Sequence, residues 1–177
     1  VKDGADKMQR SHGDAMGILA TLMNSIAVAD ALEKHGVPAR VLSAVETPKF
    51  AEYFTRDAAD RYLKDGYVTL FACGTGNPYF TTDSAAALRA LELRCDLLVK
   101  ATKVDGIYDV DPAKHPDAKR FDRIRYDDAI ARNLGVMDLT AMVLCRDNKL
   151  SLRVCSVADL PQLDAVIEDD SRSTLVY

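Results

Sequence analysis

Short runs rich in β-branched and aromatic residues alternate along this chain with stretches whose apolar residues recur every three or four positions. Residues 40–45, 67–73, 96–101, 152–156 and 173–177 read as strands, and 12–35, 55–65, 84–93, 127–133, 137–146 and 160–167 as helices. Such a succession joins parallel strands through right-handed crossovers. The expected fold is therefore α/β, a three-layer α/β/α sandwich around a mostly parallel sheet, with residues 1–177 in a single domain. Ligands of such sheets bind beyond the carboxyl ends of the strands, so the loops after strands are the places to search.

Two loops stand out. After the strand at 67–73 comes Gly74-Thr75-Gly76-Asn77-Pro78-Tyr79-Phe80-Thr81-Thr82-Asp83-Ser84, and then a helix with leucines at 88, 91 and 93. A strand-to-helix turn rich in glycine gathers backbone N–H groups at the positive end of a helix dipole, where an anion is favoured. A plain tight turn capped by Thr82 or Asp83 explains the glycines alone. It does not explain eleven residues with two aromatics, so the stretch reads as a ligand loop. The second loop, 102–112, carries Asp105, Asp109 and Asp111 around Gly106 and ends at Pro112. It lacks the spacing and terminal Glu of a calcium loop. A solvated acidic loop and a nucleotide seat both fit it; in the second, Thr102 reads a base, Tyr108 packs on it and Asp111 accepts from ribose hydroxyls. Both loops follow strands, which places them on one sheet edge and suggests two ligands side by side.

Composition narrows the partners. A net charge of -4 argues against broad nucleic-acid contact, so any phosphate must be met locally by N–H groups, a few Lys or Arg, and a metal ion. Cysteines 73, 95, 145 and 155 show no paired spacing and read as reduced, buried thiols of a cytosolic protein. No apolar run approaches the length of a membrane span and no signal peptide is visible. Helix 12–35, with Ser11-His12-Gly13-Asp14 as its cap, carries Ile18, Leu19, Leu22, Met23, Ile26 and Leu32 around much of its circumference. It fits a central position and a subunit interface equally. The polar opening Val1-Lys2-Asp3-Gly4-Ala5-Asp6-Lys7, without Met, reads as a chain entered partway. Asp14 and Asp138 stand near helix starts, where capping and catalysis are both available to a carboxylate.

Gly74-Thr75-Gly76-Asn77-Pro78-Tyr79-Phe80-Thr81-Thr82-Asp83-Ser84, Lys100-Ala101-Thr102-Lys103-Val104-Asp105-Gly106, Asp109-Val110-Asp111-Pro112 and Val136-Met137-Asp138-Leu139 together resemble the bacterial uridylate (UMP) kinases of the amino acid kinase superfamily. The likeness runs from about Met8 to the C-terminus. It implies transfer of the ATP γ-phosphate to UMP with Mg²⁺, a cytoplasmic homohexamer, GTP as activator and UTP as inhibitor. By motif, Asp14 resembles the carboxylate that holds the UMP ribose. Thr75, Gly76, Asn77, Pro78, Tyr79, Phe80, Thr81 and Thr82 resemble the loop that wraps UMP. Thr102, Lys103, Tyr108 and Asp111 resemble the ATP-binding set, and Asp138 the acid that orders the catalytic lysine or lysines. The family's opening Lys-x-Ser-Gly strand and Gly-Gly-Gly-Asn-type loop have no counterpart here, so the chain is expected to be the larger C-terminal part of such an enzyme. Two other readings remain open. One is a non-catalytic nucleotide- or oxyanion-binding protein of the same fold, serving as sensor or storage shell. The other is a relative acting on an amino acid carboxylate, against which stands the lack of an Arg in loop 74–83.

Overall fold

The computed structural model describes residues 8–135 and 137–177. The polar opening at 1–7 and Val136 of the Val136-Met137-Asp138-Leu139 motif lie outside them. The chain divides into two compact units, Val1–Ala85 and Ala86–Tyr177.

The first unit begins with helix α1, Arg10–Lys34. Strand β1 (Ala39–Ser43), the short β2 (Glu52–Tyr53), helix α2 (Arg56–Lys64) and strand β3 (Val68–Ala72) follow, and helix α3 (Thr82–Glu92) starts within it. Left-handed glycines end both early helices, Gly36 at φ 77° and Gly66 at φ 82°, a conformation that costs a glycine little. Thr55 caps α2 by accepting the Ala58 N–H at 3.2 Å. The sheet runs β2-β1-β3, parallel at both pairings, with Leu42 opposite both Glu52 and Phe71. Leu22, Ala72 and Cys73 form its buried centre, packed by Ile18, Val41, Ala44, Val45 and Ala51.

Helix α1 departs from expectation at its start and on its surface. Gln9 occupies the cap position without a side-chain hydrogen bond, so Ser11, His12, Gly13 and Asp14 lie inside the helix and do not cap it. Only Leu22 of the helix is buried, while Met16, Leu19, Met23, Ile26 and Val28 are exposed. By length and composition α1 is also long and apolar enough to cross a membrane, its best window having a mean hydropathy of 1.6. That corrects the reading that no run reaches such a length: alanines between the larger apolar residues sustain the window although Ser, Thr and Asn break the pattern.

The second unit holds strands β4 (Leu97–Thr102), β5 (Ile107–Tyr108), β6 (Arg120–Phe121) and β7 (Arg123–Ile124), and helices α4 (Tyr126–Ala131) and α5 (Leu139–Asp147). Strand β8 (Ser151–Ser156), helix α6 (Leu163–Glu168) and strand β9 (Thr174–Val176) complete it. The sheet order is β4-β8-β9-β7. Pairings β4–β8 and β7–β9 are parallel, whereas β8–β9 is antiparallel, so the sheet is mixed at its centre. Its core gathers Leu152, Val154, Val176, Met142, Cys145, Ile124 and Tyr126. Burial holds the Tyr126 phenol far above its ordinary value, and its hydroxyl donates to the Leu150 carbonyl at 2.8 Å.

The sequence reading missed four short elements. Strand β2 and strands β5 to β7 each have two residues, too few to show a period. The stretch 102–112 is consequently half hairpin: β5 pairs antiparallel with β6, Tyr108 opposite Arg120. The helix read at 160–167 is a 3-10 turn, Val157–Gln162, containing Pro161, followed by α6. Cys73, Cys145 and Cys155 are buried as expected, but Cys95 is exposed in the turn after α3, where Arg94 is left-handed. Burial pushes the Cys145 and Cys155 thiols above their ordinary value, which slows attack by thiolate chemistry. Of these four thiols, only Cys95 should be alkylated in the native protein, and all four after denaturation, as read by peptide mapping.

Candidate functional site

The first group is built on the glycine loop between β3 and α3. The backbone turns left-handed at Cys73 (φ 66°), Gly74 (φ 57°), Gly76 (φ 77°) and Tyr79 (φ 70°). Such angles cost an L-residue about 1–2 kcal/mol, so the two non-glycines need a restraint. Helix α1 supplies it. Thr21 Oγ1 donates to the Ile18 carbonyl at 2.7 Å and accepts the Cys73 N–H at 2.8 Å. Asp14 Oδ2 accepts the Tyr79 N–H at 2.8 Å, and the Arg10 guanidinium lies 4.8 Å from the centre of the Tyr79 ring. Asp14 and Thr21 are seven residues apart, so they share a face of the helix and grip both ends of the loop.

Within the loop Thr75 Oγ1 accepts the Asn77 N–H at 3.2 Å, and Asn77 Nδ2 donates to the Thr75 carbonyl at 3.1 Å. Thr81, not Thr82 or Asp83, caps α3 by accepting the Ser84 N–H at 3.3 Å. Thr82 is the helix's first residue. Asn77, Pro78, Tyr79, Phe80, Thr81 and Thr82 are all exposed. Gly76 packs so closely on β1's end that a Cβ there would lie 2.9 Å from the Ala44 carbonyl oxygen. An apolar cavity of about 330 Å³ adjoins the loop, lined by Ser11, Ala15, Ile18, Leu19, Val45, Gly76 and Pro78.

The second group belongs to the second unit. Thr102, Tyr108 and Asp111 line one cavity of about 590 Å³, with Lys100, Asp109, Arg132 and the Asn133 to Gly135 turn after α4. Lys103 is exposed and outside that lining. Thr102 Oγ1 accepts the Val104 N–H at 3.0 Å and donates to the Val104 carbonyl, fixing the turn after β4. The Tyr108 hydroxyl donates to Asp105 Oδ1 at 2.7 Å; this bond first, then burial, raises the phenol above its ordinary value. Its ring is thus what Tyr108 offers the cavity. Asp111 accepts the Ala113 N–H at 3.0 Å and lies 3.5 Å from Lys114 Nζ. Asp138 caps α5, accepting the Ala141 N–H at 3.0 Å. Sequence reasoning missed Arg132, Asn133 and Val154; only the left-handed Asn133, a helix-ending residue type, carried a local signal.

A model of the amino acid kinase family matches residues 2–156. A uridylate kinase of Magnetococcus marinus is 47% identical over 176 residues, 99% of this chain and 73% of that protein. Among solved structures, the UMP kinase of Ureaplasma parvum superposes with a TM-score of 0.89 at 37% identity, covering 96% of this chain and 72% of that one. The UMP kinase of Bacillus anthracis gives 0.90 at 29% identity, covering 96% and 70%.

The crowding at Gly76 has a measurable cost. Gly76→Ala, strained in φ and pressed on the Ala44 carbonyl, should lose at least about 1–2 kcal/mol of stability in urea unfolding. Gly13→Ala, inside α1 with open space around it, should gain about 0.5–1 kcal/mol.

Proposed function

This chain belongs to the amino acid kinase family, and on that footing we propose that it phosphorylates UMP to UDP with ATP as the phosphoryl donor. The observation that carries this reading is the 47% identity with a uridylate kinase across nearly the whole chain. The family match, residues 2–156, runs across both compact units, which supports treating them as parts of one domain of that kind.

In this reading the glycine loop takes UMP. The neutral donors and acceptors of Thr75, Asn77, Thr81 and Thr82 and the N–H groups around Gly76 read the nucleotide, with Pro78, Tyr79 and Phe80 closing over it. Asp14 holds the ribose hydroxyls with the lone pairs left after its bond to Tyr79. The cavity of the second unit takes ATP: the Tyr108 ring packs on the base, Thr102 and nearby backbone read its edge, and Asp111 accepts from ribose. Lys100 and Lys103 contribute positive charge toward phosphate.

Phosphoryl transfer asks a protein to align donor and acceptor and to neutralise charge spreading over the transferred group. A phosphate oxygen of UMP is already an anionic nucleophile at neutral pH, so no side chain need remove a proton. Asp138 orders the lysine or lysines that meet the transferred phosphoryl group. Among the described residues no three His, Cys, Asp or Glu side chains gather as a metal site. Mg²⁺ bound with the ATP phosphates would supply positive charge against the charge developing in transfer. The same reading places the enzyme in the cytoplasm, in pyrimidine nucleotide synthesis, as a homohexamer activated by GTP and inhibited by UTP. The exposed apolar residues of α1 support assembly with further copies.

The test is UMP-dependent ADP formation by the complete protein, with two changes at Asp138. Asp138→Asn keeps a capping oxygen and removes the charge, whereas Asp138→Ala removes both and should cost about 1 kcal/mol of stability. Both should lower kcat at least about tenfold, a barrier increase of about 1.4 kcal/mol. Unchanged turnover in the Asn variant removes Asp138 from the mechanism. UMP binding with no ADP formation in the wild type favours the non-catalytic reading.

A further inference from the structure

The residues lining the second unit's cavity do not stand by themselves. Strand β5, which carries Tyr108, is a two-residue strand whose only sheet partner among the described residues is the equally short β6. A hairpin of that length is marginal unless something else fixes it. The fixing groups come from 169–174, a segment beyond the residues that match the family model.

Thr174, fully buried at the head of β9, uses its hydroxyl twice. Oγ1 accepts the Ile107 N–H at 2.9 Å and donates to the Phe121 carbonyl, so one oxygen joins β5 and β6 to the main sheet. Gly106 makes room for it, since a Cβ there would lie 2.5 Å from Thr174 Oγ1 and 2.8 Å from Arg120 Cδ. Arg120 supplies the second link. Its Nη2 donates to the Ser171 carbonyl and to Asp122 Oδ1, while Nη1 lies 3.5 Å from Asp105 Oδ2. Asp105 in turn accepts the Tyr108 hydroxyl. The segment that supplies these contacts is itself anchored: buried Arg153 of β8 reaches Asp170 Oδ1 at 2.9 Å and Ser173 Oγ at 2.8 Å.

We propose that Thr174 and Arg120 are positioning residues for the donor nucleotide, acting through Ile107 and Asp105 to set the place of the Tyr108 ring. The proposal rests on the assignment of this cavity to ATP. It makes the Thr174 hydroxyl and the Arg120 fork determinants of ATP affinity although neither is assigned to the nucleotide itself.

The experiment compares Thr174→Val, Thr174→Ser and Arg120→Gln with wild type in the complete protein. KM for ATP, KM for UMP, kcat, direct ATP binding by calorimetric titration and melting temperature are measured for each. Thr174→Val preserves shape and removes the hydroxyl. It should raise both KM and Kd for ATP about tenfold, the scale of one buried hydrogen-bonding group, with KM for UMP within about twofold. Thr174→Ser should restore both, and Arg120→Gln, at a site whose side chain is 16% exposed, should repeat the split even where Thr174→Val fails to fold. ATP parameters unmoved in Arg120→Gln and in the folded Thr174 variants, or ATP and UMP parameters worsening together, overturn the positioning role while wild-type turnover keeps the kinase reading. Wild type that neither binds ATP nor forms UDP overturns both.

Discussion

Two hydrogen bonds from one helix face govern the first unit. The Thr21 hydroxyl and the Asp14 carboxylate hold the N–H groups of Cys73 and Tyr79, both non-glycines in a left-handed conformation. Those angles decide where the intervening N–H groups point, and hence what the loop can grip. Glycine at 74 and 76 lets the chain enter such a path, but permission is not specification: a glycine-rich loop without anchors samples many shapes. The anchors sit on a helix that the core holds only through Leu22 and its neighbours, so loop shape and helix seating are one problem.

The second unit solves a like problem with the same chemical group. Thr174, like Thr21, donates to one backbone carbonyl and accepts one backbone N–H from a segment remote in sequence. A hydroxyl is suited to this because it is donor and acceptor at once, on a β-branched side chain with few rotamers. In both units a two-sided hydroxyl stitches a loop or short hairpin to regular structure. Carboxylates complete each arrangement, Asp14 toward backbone and Asp105 toward the Tyr108 phenol.

The sequence disclosed the long elements and the two loops because each had a period or a punctuation: Gly36 and Gly66 at helix ends, Thr55 at a start, the apolar runs of β3, β4 and β8. It concealed elements of two residues, which have no period, and the antiparallel return of β9, since pairing direction leaves no mark on a strand's composition. Asp14 was legible as a residue of interest but not as the acceptor for Tyr79, because a bond between residues 14 and 79 belongs to the packing of helix on loop. Thr21 and Thr174 were invisible for the same reason. Cys95 escaped because a thiol's exposure depends on which side of a helix end it lands, not on its neighbours in sequence.

Strand β9 lies between β8 and β7 and pairs with both, Val176 standing opposite Leu152 on one side and Ile124 on the other. Among the described residues strand β7 has no other partner in that sheet. During synthesis, β4 and β8 can zip together as soon as residue 156 clears the ribosome, but β7 must wait, unpaired, until 174–176 emerge. Until then β8 presents an open apolar edge of the kind that recruits strands from other chains. Strand β9, made after both of its partners, is therefore the keystone of the second unit, and until it arrives the nascent chain is exposed to misassembly.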